Sequence, residues 1–142
     1  VLDSIKQALL MLFMGTSAAI TSTPLDFTPG EMIIRAQKPI TPVDDTVQVY
    51  INLGTVNDDV KKKIVTGNFG RNELGDISTD ICKSDNECLP MSYSGPFFSS
   101  DVYGIAFVIS DQKIRGVTFS SVKIRVSRPI HSVSIRWQNY SK

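Results

Sequence analysis

Three stretches of the chain alternate apolar and polar residues with a period of two. Val47, Val49, Ile51 and Leu53 are separated by Gln48, Tyr50 and Asn52. Val122, Ile124 and Val126 are separated by Lys123 and Arg125, and Val133, Ile135 and Trp137 by Ser134 and Arg136. Successive side chains of an extended strand point to opposite faces, so each stretch predicts a strand with one buried and one wet face. Further strands are predicted over 31–38, 60–66, 102–109 and 114–119. The run 102–109 is apolar on both faces and reads as a central strand covered on both sides. Turn signals separate these runs, among them Thr28-Pro29-Gly30, Asn57-Asp58-Asp59, Ser94-Gly95-Pro96 and Arg128-Pro129. Beyond residue 24 no segment carries a long 3.6-residue apolar stripe. About seven short strands then point to an all-β fold, a two-layer antiparallel β-sandwich.

A chain of 142 residues with 42% hydrophobic and 20% charged residues suits one globular domain. Its first residues differ from the rest. A short polar start, 1–6, precedes the apolar run 8–14, and Gly15-Thr16-Ser17-Ala18-Ala19 supplies small residues. That order predicts a secretory signal peptide over 1–19, with a cut as late as residue 23, followed by one sandwich domain over 24–142. The mature protein is then expected in the periplasm or outside the cell, without stable membrane insertion. Cys82 and Cys88 fit that compartment, because a close pair in an oxidising space forms a disulfide. Their spacing does not match a Cys-x-x-Cys redox motif.

Most catalytic chemistries lack their residues. His131 is the single histidine, and no Gly-x-Ser-x-Gly surrounds any serine. Asp44-Asp45 and Asp58-Asp59 lie in turn contexts, where aspartate caps backbone N–H groups. Asp80, Asp85, Asn86 and Glu87 do not follow the order of a calcium loop. The glycine-rich segment 67–75 lacks the Gly-Lys-Ser/Thr ending of a phosphate cradle. Asn139-Tyr140-Ser141 fits a glycosylation acceptor. Neither a catalytic residue, a cofactor site nor a metal site is assigned from the sequence.

Two features suggest binding. From residue 110 onward seven Lys and Arg residues face Asp111 alone, giving that part a charge of +6 against −5 for the part before it. Lys123, Arg125 and Arg136 stand on the polar sides of their strands and are expected to share one exposed basic face. The segment 89–98 is loop-like in its Pro, Gly and Ser content yet carries Tyr93, Phe97 and Phe98. Those three rings are candidate partner anchors, with Tyr93 and one Phe expected to be exposed. The net charge of +1 argues against nucleic acid as a partner.

The patterns at 47–53 and 122–137 resemble immunoglobulin-like sandwiches of small secreted or periplasmic proteins. The resemblance implies a fold and assigns no activity. Cysteines six positions apart, with Trp137 after both, separate the chain from antibody-type domains. The expectation is an exported, non-enzymatic binding module, such as an inhibitor or immunity-type protein of the cell envelope. Its partner would be another protein or an acidic envelope component. A pilus or surface-assembly subunit is the structural alternative, and a small secreted hydrolase is disfavoured by the residue inventory.

Overall fold

The computed structural model describes residues 17–21, 23–54, 56–99 and 101–140. Ten strands run through them: β1 (Ser17–Ala19), β2 (Leu25–Phe27), β3 (Gly30–Ile40), β4 (Thr46–Leu53), β5 (Ile77–Ser84), β6 (Glu87–Pro90), β7 (Ser92–Ser99), β8 (Val102–Ser110), β9 (Phe119–Val126) and β10 (Ile130–Tyr140). One sheet has the order β1-β10-β4-β8-β7, with β2 also on β10, and the other has the order β3-β9-β5-β6. Every pairing is antiparallel.

The period-two stretches behave as expected. Val47, Val49 and Ile51 from β4 and Val133 and Ile135 from β10 are fully buried between the sheets. They meet Val122 and Ile124 of β9 and Ile81 of β5 in one core. Burying each such side chain contributes about 1.5–3 kcal/mol, which makes this two-sheet interface the main source of stability. Cys82 and Cys88 lie directly opposite in the β5–β6 hairpin and form a disulfide.

Three expectations are corrected. Residues 60–66 are helical, within α1 (Asp58–Thr66), not a strand. The Asn57 side chain caps the helix by accepting from Val60 N–H at 2.9 Å, and Gly67 ends it at φ 77°. The stretch 114–119 is not a strand either. A 3-10 turn over Gln112–Ile114, capped by Asp111, and a left-handed Gly116 delay β9 until Phe119. The supposed loop 89–98 supplies β6 and β7. As an edge strand β7 tolerates Pro96, and Gly95 sits at its register shift. The glycine-rich segment 67–75 caps α1 and then forms a 3-10 turn over Arg71–Leu74.

The predicted leader, residues 1–19, lies outside the described residues except for Ser17–Ala19. Those three form β1, whose register on β10 runs from Gln138 to Arg136. Just beyond them Ile20 is fully buried, and its backbone joins both sheets. Its N–H donates to Ile135 at 2.8 Å and its carbonyl accepts from Gln37 at 3.2 Å.

Candidate functional site

The polar rows of β4 and β10 and the outer sides of β8 and β7 form the external face of the larger sheet. Along one rung Arg136 stands opposite Tyr50, Tyr50 opposite Ala106, and Ala106 opposite Gly95. On a neighbouring rung Asn52 stands opposite Gly104, and Gly104 opposite Phe97. Gly104 and Ala106 leave the middle of the face low, and aromatic rings lie over it. A β-carbon at Gly104 would come within 2.7 Å of the Phe97 ring and would also meet the Ile51 carbonyl. Phe97 therefore occupies the space a side chain would need. It meets Tyr50 edge to face, with centroids 5.2 Å apart at 78°. Both faces of β8 are covered, and among the described residues the cover on the outside is these two rings.

Beside the rings lies a cup of 460 Å³, lined by Tyr50, Asn52, Phe97, Val102, Arg136 and Gln138 among others. The Tyr50 hydroxyl donates to Oε1 of Gln48 and lies 3.2 Å from Oε1 of Gln138. Tyr50 is thereby fixed at both its ring and its hydroxyl. Neither Asn52 nor Arg136 has a side-chain partner among the described residues, and the ion pairs found there omit Arg136. No carboxylate, imidazole, thiol or amine is among the lining side chains.

The structure splits the expected basic face in two. Arg136 is on this sheet, whereas Lys123 and Arg125 belong to β9 in the other one. There Glu31 bridges both, 3.3 Å from Lys123 Nζ and 2.7 Å from Arg125. The hydrogen bond from Arg125, then that from Lys123, holds the Glu31 carboxyl below the usual glutamate range. Arg35 pairs with Asp85 at 3.1 Å, so the second sheet's outer face is charged but largely self-compensated. A depression of 730 Å³ lies at one end of this sheet, lined by Arg71, Asp76, Ser78 and Arg125 among others. Its Arg125 is held by Glu31 and no aromatic ring lines it.

The three candidate anchors also separate. Phe97 forms the cup. Phe98 is 54% exposed and stacks on Tyr103 with centroids 6.3 Å apart. Tyr93 is half-buried, packed edge-on against Phe107 at 5.7 Å and covered by the Arg71 guanidinium at 5.2 Å. Its hydroxyl is buried with no partner among the described residues, and burial pushes its pKa up. Tyr93 is thus mainly a packing residue, and the expectation that it is exposed is corrected.

Other residues weighed from the sequence have structural work. His131 Nδ1 lies 3.6 Å from Asp26, which also accepts the Ser132 backbone N–H at 2.9 Å. That N–H first, and the His131 imidazole after it, lower the Asp26 pKa. Both side chains are more than half exposed. The Asn139 carbonyl oxygen accepts from Val43 and Asp44 N–H, and its amide donates to Asp44 and Thr46 carbonyls. Fully buried and so engaged, Asn139 is closed to glycosylation in the folded protein. Asp45 pairs with Arg115 at 3.7 Å. Among the described residues no group of three or more His, Cys, Asp or Glu is placed to hold a metal ion.

No protein-family model matches the chain, and no curated protein or solved structure shows significant similarity to it. The site therefore rests on its own geometry. Of the residues around the cup, the sequence reading names Phe97 and Arg136 as candidates and does not name Tyr50, Asn52 or Gln138. The available signal was a tyrosine in the middle of a polar strand row, where a ring must lie flat on the sheet or face a ligand.

Proposed function

We propose that the chain is an exported, non-enzymatic binding module that works through the outer face of the β10-β4-β8-β7 sheet. The observation carrying this reading is the cup itself. Two aromatic rings are locked by Gly104 and by the Gln48 and Gln138 amides, beside an arginine and an asparagine that find no partner among the described residues. Groups held on rigid strands with unspent hydrogen-bonding capacity are what a recognition site requires. The lack of a general base among the lining side chains supports binding over hydrolysis. Export is supported by the Cys82–Cys88 disulfide and by the leader-like apolar run 8–14 ahead of β1. No helix among the described residues is long and apolar enough to cross a membrane.

A surface-assembly subunit has less support. Strand exchange works through a sheet edge, whereas the two ordered rings of the cup stand on the face of the sheet. The test is site-specific photo-crosslinking in the native envelope. A photoreactive residue replaces Ser99 beside the cup or Ser78 on the opposite sheet, both exposed positions. Adducts from position 99 and none from position 78 are expected. Adducts from position 78 alone, or from neither, would overturn the assignment of the binding face.

A further inference from the structure

We infer that the cup recognises a carboxylated sugar, as a unit of an acidic glycan. The inference rests on the binding-face reading above and specifies its ligand. The cavity of 460 Å³ lies within the range of about 300–1,000 Å³ typical of small-ligand sites. A protein partner would instead bury about 800 Å² on each side, far beyond a depression of this kind.

The lining chemistry narrows the class. An aromatic face carries negative charge density and attracts the weakly positive C–H groups along one side of a pyranose ring. Phe97 and Tyr50, at 78° to one another, both line the cup. Asn52 brings an amide that both donates and accepts, which matches a hydroxyl pair on a sugar. Val102, 41% exposed, adds an apolar wall. These groups alone would suit a neutral sugar.

Arg136 decides the charge. It stands directly opposite Tyr50, is exposed, and has no carboxylate within ion-pair distance among the described residues. The neighbouring strand cations Lys123 and Arg125, by contrast, both have Glu31. A guanidinium presents parallel N–H groups that fit a planar carboxylate as a fork. One such fork, with an amide and two rings, fits a sugar carboxylate. A phosphoryl group would draw on several cations or a nest of backbone N–H groups, and the cup lining includes one cation.

The test is an NMR titration of the folded full chain with three acidic oligosaccharides: trigalacturonate, an alginate trisaccharide and sialyllactose. The methyl ester of each serves as control, keeping the ring and hydroxyls while removing the charge. At least one acid should shift amides of β4, β7, β8 and β10 around the cup, and bind at least about tenfold tighter than its ester. Arg136→Gln should bring acid and ester to equal affinity without changing the melting temperature. Phe97→Leu should weaken both alike. Shifts elsewhere, equal binding of acid and ester by the native chain, or no response to all three acids would overturn the inference. Crosslinks from position 99 to a protein, with no response to any sugar, would overturn the glycan while leaving the binding face standing. Loss of both signals would remove both.

Discussion

A β-carbon on Gly104 would collide with the Phe97 ring and with the Ile51 carbonyl, and the second contact is backbone that cannot swing aside. Gly104→Ala should therefore destabilise the domain by about 1–3 kcal/mol, the usual cost of overpacking a fitted site. It should also lift Phe97 from the sheet, which the ring's aromatic NMR shifts would report. An unchanged melting temperature and unchanged Phe97 shifts would refute the close approach. On the opposite face Glu31 is held in its charged form by Arg125 and Lys123. A lowered folded-state pKa means its contribution to stability is complete above the ordinary glutamate range and is lost as pH falls through the lowered value. An NMR titration of the Glu31 carboxyl carbon should give a midpoint below that range, and Arg125→Gln should raise it. A native midpoint at or above the ordinary value would contradict the bridge.

At the scale of elements, the segment 17–27 is an edge strand in two pieces, stapled by Ile20 and Phe27, both fully buried. Ile20→Ala should cost about 2–5 kcal/mol, as truncation of a buried isoleucine does. Denaturant unfolding measures this directly, and a loss below about 0.5 kcal/mol would mean that the segment is dispensable to the sandwich. The strands with one buried face were legible because period two registers burial locally. Helix α1 was not, because Val60, Ile64 and Val65 satisfy a short strand pattern as well as one helical turn. Its real signals were the Asn57 cap and Gly67 at its end. Strand β7 was hidden for a different reason. Gly95 and Pro96 break an interior strand but are tolerated at an edge bulge, and edge position is a property of the assembled sheet.

At the scale of the molecule, the site depends on which strands become neighbours. In the sequence Phe97 is one of three aromatics in the segment 89–98, and Arg136 one of three cations on polar strand rows. What unites them is the order β10-β4-β8-β7, which sets Tyr50 between them and which no local pattern encodes. The same assembly separates Arg136 from Lys123 and Arg125, although all three occupy equivalent polar positions in sequence. The two outer faces differ accordingly. On the smaller sheet Glu31 and Asp85 pair with Lys123, Arg125 and Arg35. On the larger sheet Arg136 stands beside two ordered rings, with no carboxylate partner among the described residues. The central claim is that the larger sheet's face binds. Hydroxyl-radical footprinting of the chain in native envelope extract, against the chain alone, tests it most directly. Protection of Tyr50 and Phe97, with Ile33 on the smaller sheet unchanged, is the predicted result. Protection of Ile33 with Tyr50 and Phe97 oxidised as in the isolated chain would contradict it.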